Sequence, residues 1–156
     1  MRYNLVSGFG ALLCTLFISA FASVTHAGVS DNVNPTTLGN IDVELSDDAN
    51  DGCWTNLGEA KTYAADKLDI LGYKVLPKWV PGMATFQVSV HSERDSQKTC
   101  YGNIAVTVYI AVYNDEVFGF HRVAEKSTIF LRSKNANTLV LEVIKSLIDQ
   151  MREKQN

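Results

Sequence analysis

Residues 104–113 alternate strictly between two sets of side chains, and this pattern limits the fold more than any other stretch of the chain. One set is Ile104, Val106, Val108, Ile110 and Val112, and the other is Ala105, Thr107, Tyr109, Ala111 and Tyr113. Because successive side chains of a strand point to opposite faces, a period of two is typical of a strand with one buried face. Asn114-Asp115 follows as a two-residue hairpin turn, so we expect a second strand from Glu116 to about Phe130.

The predicted hairpin divides its side chains between two faces. If Tyr113 lies opposite Glu116, Val112 lies opposite Val117 and Val108 lies opposite His121 on an apolar face that meets the helices. The other face carries five residues that we call the aromatic face: Tyr109, Tyr113, Phe118, Phe120 and Arg122. Exposed apolar patches often mark interaction sites, so this is our candidate binding face. The alternative is that the N-terminal segment, the loop with Trp79 or a second copy of the chain covers it.

The remaining periodicities predict two helices and further strands. Leu57, Ala60, Ala64, Leu68 and Leu71 form a helical stripe within residues 54–71, and a final helix from Asn135 or Asn137 to about Arg152 has a similar stripe. Residues 41–45 and 86–90 alternate as strands, and residues 73–76 resemble a short one. We therefore predict an α+β fold in which an N-terminal and a C-terminal helix pack on one face of an antiparallel sheet of about four strands.

The N-terminal segment has the three parts of a secretory signal peptide. Arg2 supplies a basic start, Phe9–Ala22 is apolar, and Thr25-His26-Ala27 has a small residue at each of the two positions that a signal peptidase reads. We expect a signal peptide over residues 1–27, a flexible leader over 28–40 and a single α+β domain over 41–156. This organisation predicts a periplasmic or secreted protein with no stable membrane span after cleavage.

Cleavage after Ala27 removes Cys14 and leaves Cys53 and Cys100 from the three cysteines of the sequence. Two cysteines in an oxidising compartment most often form one disulfide, which here would join the start of a helix to the start of a strand. A redox or metal-binding pair is disfavoured because no C-x-x-C spacing and no nearby histidine accompany them.

The charge and the motifs exclude several classes of function. The formal charge of the full chain is −3, and this mild acidity argues against a nucleic-acid partner, which usually requires a basic stripe. No glycine-rich phosphate loop or G-x-S-x-G motif is present, and we expect no cofactor, no metal and no catalytic residues. A small hydrolase that uses His91 or His121 with a carboxylate is the weaker enzymatic alternative.

These observations favour an exported, non-catalytic binding domain. We expect its partner to be a protein or a component of the cell envelope, bound through the aromatic face. The alternative is a structural subunit that forms an oligomer through the same face.

Overall fold

The computed structural model of the protein describes residues 27–114 and 117–155. Within these ranges the chain forms nine elements, in this order: β1 (Ala27–Val29), α1 (Pro35–Leu38), β2 (Asn40–Ala49), α2 (Leu57–Ile70), β3 (Lys74–Leu76), β4 (Ala84–Arg94), β5 (Cys100–Asn114), β6 (Val117–Ser133) and α3 (Asn137–Glu153). The predicted signal peptide lies outside the described residues except for Ala27, whose backbone belongs to β1.

The sheet is larger than predicted and it is mixed. Six strands of the described chain lie in the order β1-β6-β5-β4-β2-β3, and β2 is parallel to both of its neighbours. The prediction of about four antiparallel strands is therefore wrong. The parallel pair β2–β4 aligns Ile41 with Ala84 and Ala49 with Ser92. Because α2 and β3 lie between these strands in the sequence, no local turn signals their pairing.

The helices also differ from the prediction of one N-terminal and one C-terminal helix. The described residues form three helices, and the long helix α2 lies between the parallel strands β2 and β3. This β2-α2-β3 crossover is a βαβ arrangement, which the sequence did not reveal. Helix α2 packs on β2, α3 packs on β5 and β6, and the two helices contact each other, so both cover one face of the sheet.

The core lies between this face and the two helices. The stripe of α2 buries Ala60, Ala64 and Leu68 as the periodicity predicts. The strands contribute alternate side chains, because every second residue of a strand faces the same way. The buried strand residues on this side are Ile41, Val43, Ala84, Phe86, Val88, Val90, Ile104, Val106 and Val108.

Residues 28–40, which we expected to form a flexible leader, hold two elements and buried side chains. The Asn34 side chain accepts a hydrogen bond from Thr37 N at 2.9 Å and so caps α1, and Pro35 occupies the first turn. Val33 is completely buried and Leu38 nearly so. Burial of these apolar side chains in the main core holds the segment against the domain.

The structure contains the predicted bond between Cys53 and Cys100, whose Cα atoms are 5.7 Å apart. Cys53 lies in the loop before α2, and Cys100 is the first residue of β5. The carbonyl oxygen of Cys53 also accepts a hydrogen bond from Ala136 N, at 2.7 Å, just before α3. The disulfide and this bond together join the starts of α2, β5 and α3.

Between the turn and Arg122, the β5–β6 pairing keeps the predicted faces but differs in register by two residues. Asn114 pairs with Val117, so Tyr113 lies opposite Phe118 and Ala111 opposite Phe120. A shift of two residues leaves these side chains on their predicted faces, because the period is two. At a bulge, Tyr109 pairs with Arg122 and Val108 with Ala124, so Val123 is an extra residue and the two faces of β6 are exchanged beyond it.

The bulge and the register together correct the prediction for His121. We expected it in the core opposite Val108, whereas it pairs with Ile110 and is exposed. The reason is that the part of β5 and β6 between the bulge and the hairpin turn extends past the region that α3 covers. Buried β6 residues begin at Val123, so the strand before it has no helix above it.

Candidate binding face and groove

The sheet face away from α2 and α3, which we call the open face, consists of rows of side chains that cross four strands. One row is Asp42, Thr85, Tyr109 and Arg122, and the next is Glu44, Gln87, Thr107 and Glu125. Each row follows from the strand register, because residues directly opposite each other share a face. Polar and acidic side chains therefore lie on β2 and β4, and aromatic side chains lie towards β5 and β6.

All five residues of the aromatic face lie on the open face. Tyr113 and Phe118 have ring centroids 5.6 Å apart, and Phe118 and Phe120 meet edge to face at 5.1 Å. Such tilted and edge-to-face pairs are favourable for aromatic rings. Tyr113 is 79% exposed and Phe120 is 60% exposed. No other part of the described chain covers these rings, whereas Tyr109 is half-buried at the foot of the cluster.

Arg122 extends the aromatic face with a charge that is already paired. Its guanidinium forms an ion pair with Glu125, and both groups are partly exposed. An exposed pair of this kind contributes little to stability, about 0–1 kcal/mol. The pair nevertheless removes the net positive charge from this end of the open face.

Three residues of the aromatic face form one wall of a groove of about 880 Å³. Tyr109, Phe118 and Phe120 stand on one side of it, and Pro77 and Trp79, from the loop after β3, stand on the other. The remaining lining residues come mainly from β2 and β4: Asp42, Val43, Glu44, Leu45, Lys61, Thr85 and Gln87. A volume of this size matches that of ligand sites, which are commonly about 300–1,000 Å³.

The floor of the groove offers mostly hydrogen-bond acceptors. The Oδ1 atom of Asp42 is shielded from solvent and has no hydrogen-bond partner among the described residues. Glu44 accepts a long hydrogen bond from Gln87 Nε2, at 3.5 Å. Two carboxylates against one cation, Lys61, give the lining a net negative charge. A bound group that donates hydrogen bonds is therefore favoured here.

Sequence reasoning missed the floor of this groove. The alternation of Asp42 and Glu44 with Ile41 and Val43 indicates which face of β2 they occupy. Nothing local indicates that β2 lies beside β4, and this non-local pairing brings the carboxylates towards the aromatic rings. Trp79 was expected only as a loop residue and a candidate cover for the rings.

The tip of the β5–β6 hairpin is apolar on both sides. Val112 and Val117 are exposed on the side opposite the aromatic face, and Val117 is 69% exposed. The tip extends beyond the helices, so neither side packs on the core. We define the hairpin tip as residues 111–114 and 117–120.

The two histidines of the enzymatic alternative do not meet. His91 is exposed on the open face between Asp48 of β2 and Asn103 of β5. His121 is exposed on the other side of the sheet. Neither lines the groove. Over residues 27–114 and 117–155, no three His, Cys, Asp or Glu side chains converge as a metal site, and no helix is long and apolar enough to cross a bilayer.

Of the comparisons with known proteins, the one with solved structures found matches, and those with family models and curated proteins did not. No family model matches the sequence, and no curated protein matches it. A PelC dodecamer from Paraburkholderia phytofirmans aligns with a TM-score of 0.49 at 8% identity, over 84% of this chain and 98% of that chain. A variant of that PelC dodecamer aligns over the same shares at 8% identity with a TM-score of 0.42. Because both TM-scores lie below 0.5, we transfer neither function nor assembly from these structures.

Proposed function

We propose that this protein is an exported, non-catalytic binding domain that holds its partner in the groove beside the aromatic face. The observation that carries the proposal is the exposure of Phe118 and Phe120 along one wall of that groove, with the exposed ring of Tyr113 against Phe118 just outside it. Exposed rings bury a large apolar area when a partner covers them, so they often dominate binding energy. Neither His91 nor His121, the residues of the hydrolase alternative, lines the groove.

An extracytoplasmic location is part of this proposal. The disulfide supports it, because such bonds persist in oxidising compartments and are rare in the cytosol. The N-terminal sequence with the pattern of a signal peptide supports the same location. We propose a protein or an envelope component as the partner.

Trp79 provides a direct readout of the groove. The sequence contains two tryptophans, of which Trp54 is 3% exposed and Trp79 is 39% exposed. Titrating the purified protein with peptide and polysaccharide fractions of an envelope extract should shift the Trp79 emission to the blue and reduce its quenching by acrylamide. The variant Trp79→Phe should lose this response and retain the signal of Trp54.

A pair of matched variants tests the aromatic face itself. Phe120→Ser removes a groove ring, whereas Ile129→Ser changes a residue that is also 60% exposed on the open face but lies outside the groove. Substitutions at such exposed sites usually change stability by about 0.5 kcal/mol or less. Phe120→Ser should abolish the titration response with the melting temperature unchanged, and Ile129→Ser should bind normally. Loss of stability in Phe120→Ser with an unchanged response would overturn the proposal.

A second candidate function is assembly through the hairpin tip. The observation that favours it is the apolar character of both sides of the tip, because a single bound ligand would cover only one of them. Light scattering coupled to size-exclusion chromatography should then detect a dimer or a larger species. Phe118→Asp should return that species to a monomer. A wild-type monomer at micromolar concentration would exclude this candidate.

A further inference from the structure

One side of β2 carries no strand over most of its length. Strand β3 pairs only with residues 40–42, whereas β4 pairs with β2 as far as Ala49. From Val43 to Ala49 the side of β2 away from β4 is therefore a sheet edge within the described part of the chain. A free edge presents unpaired backbone N–H and C=O groups, to which another extended chain can bind.

Two hydrogen bonds identify the backbone groups on this edge. Asn50 N donates to Ser92 O of β4 at 2.8 Å, whereas Ala49 N donates to its neighbouring side chain, Asp47 Oδ1, at 3.1 Å. Successive backbone groups of a strand point to opposite sides, and the β2–β4 register has no irregularity. The N–H and C=O groups of Val43, Leu45 and Asp47 therefore point away from β4.

The groove reaches this edge. Its lining includes three consecutive residues of β2, Val43, Glu44 and Leu45. Glu44 faces away from the helices, whereas Lys61, which also lines the groove, belongs to α2 on the helix side of the sheet, so the cavity extends around the edge at β2. The groove thus joins the free backbone of β2 to both of its walls, the one that holds Trp79 and the one that holds Phe120.

The charge of β2 restricts what can pair with it. The strand carries four carboxylates, Asp42, Glu44, Asp47 and Asp48, among its ten residues. A second β2 edge placed against it would set like charges opposite each other, which is destabilising. A basic strand would instead meet complementary charge, and Asp42 Oδ1 has no hydrogen-bond partner among the described residues.

We propose that the free edge of β2 binds an extended, basic segment of a partner protein as an added strand. Backbone hydrogen bonds from Val43, Leu45 and Asp47 would hold the segment, as in other cases of strand addition. Alternate Lys or Arg side chains of the segment would lie beside Asp42 and Glu44 on the open face. This proposal rests on the proposed function, because both use the same groove.

Synthetic peptides of eight residues test the proposal on the purified protein. The probe alternates Lys with Val or Thr, and its matched control replaces every Lys by Glu. Calorimetry should show at least about tenfold weaker binding of the control, and the affinity of the probe should fall as salt is added. In the same titration, the amide resonances of Val43, Leu45 and Asp47 should shift.

Two N-methylated forms of the probe distinguish strand addition from simple charge attraction. In a strand, residues whose side chains share a face also share the direction of their N–H groups. Methylating every Lys amide or every Val and Thr amide therefore blocks opposite edges of the peptide. One form should lose about tenfold or more in affinity and the other should bind like the probe. Equal affinities of the two forms would overturn strand addition.

Charge-reversal variants locate the site on β2. Glu44→Lys should weaken binding of the probe about tenfold. The control variant Glu142→Lys makes the same change at an exposed position of α3 and should bind as the wild type does. Equal losses in the two variants would overturn the assignment to β2.

Two further outcomes separate this proposal from the proposed function and from self-association. If neither peptide binds while Phe120→Ser still abolishes the response to envelope fractions, strand addition fails and the binding domain stands. If the wild type is an oligomer that Glu44→Lys dissociates, a second copy occupies the edge and the proposal is wrong.

Discussion

Among the glycines of the described residues, Gly102 is the one at which a side chain would clash most severely. It pairs with Ser92 across β4 and β5. A Cβ atom at this position would lie 2.6 Å from Ser92 Cβ and would also clash with the carbonyl oxygen of His91. Both neighbours belong to a central strand, so they cannot rotate away.

We predict that Gly102→Ala lowers the free energy of unfolding by about 3 kcal/mol, because relief of the clash requires β4 and β5 to separate. Urea denaturation followed by circular dichroism measures the change. The control is Gly58→Ala in α2, where a Cβ atom meets nothing within 4 Å. That control should be neutral or stabilising by about 0.5–1 kcal/mol. Equal stability of the two variants would contradict the clash.

Tyr73 is a buried titratable residue remote from the groove. Its side chain is almost completely inaccessible, and burial raises the pKa of the phenol to about 12, an effect that the nearby Gln155 partly offsets. Burial favours the neutral form because a phenolate would lose its hydration.

We predict that this pKa makes the protein less stable at alkaline pH. The unfolded chain releases the Tyr73 proton near pH 10, whereas the folded chain keeps it until about pH 12. Stability is therefore full below pH 10 and falls between pH 10 and 12, by roughly 2 kcal/mol. Denaturation at pH 8 and pH 11.5 should show a smaller decline for Tyr73→Phe than for the wild type. Identical declines would exclude Tyr73 as the cause.

At the scale of secondary-structure elements, the start of α3 is tied to the loop before α2 by one side chain. Asn137 Oδ1 accepts a hydrogen bond from Thr55 N at 3.0 Å, and its Nδ2 donates to Thr55 Oγ1 at 2.9 Å. The sequence suggested that Asn135 or Asn137 caps the final helix. The N-cap is instead Ala136, without a capping side chain. Asn135 Oδ1 accepts a hydrogen bond from Asn137 N at 3.2 Å, and the Asn137 side chain binds the loop before α2.

We predict that Asn137→Ala lowers the free energy of unfolding by about 1–2 kcal/mol, because it leaves Thr55 N without this acceptor. Asn137→Asp keeps the acceptor and adds a negative charge at a helix N-terminus, where it is favourable. It should therefore recover at least half of the loss. Thermal melts of the two variants test this, and an Asp variant that is no better than the Ala variant would argue against the acceptor role.

The β5–β6 hairpin illustrates which features of an element local sequence determines. Strict alternation from Ile104 to Tyr113 predicts the two faces, and the structure has the aromatic residues together on one of them. The turn shifts the pairing by two residues and keeps the faces, whereas the bulge leaves Val123 as an extra residue and exchanges the faces of β6 beyond it. The predicted partners were therefore wrong, and the predicted faces were right from the turn to Arg122.

At the scale of the whole molecule, the disulfide between Cys53 and Cys100 closes a long covalent loop. It joins residues 47 positions apart in sequence and, with the Ala136–Cys53 hydrogen bond, holds three elements at one end of the core. In the chain-entropy model, a loop of this length corresponds to a stabilisation of about 4 kcal/mol.

We predict that reduction lowers the free energy of unfolding by about 4 kcal/mol. Urea denaturation with and without a reductant measures the difference. The double variant Cys53→Ala, Cys100→Ala should not respond to the reductant and serves as the control. A reduced protein with an unchanged midpoint would show that the bond adds no stability.

The sequence by itself determined the α+β class, the faces of the β5–β6 hairpin between the turn and the bulge, the buried stripes of the helices and the pairing of two cysteines. Each of these depends on local periodicity or on composition. Only the tertiary structure decided that β2 runs parallel to β4, that its acidic edge is free beyond Asp42, and that His121 is exposed. Pairing between strands distant in sequence depends on how the helices and sheet pack together, and no short segment of sequence records that packing. The disulfide and the aromatic face were therefore predictable, whereas the groove that brings that face towards two carboxylates was not.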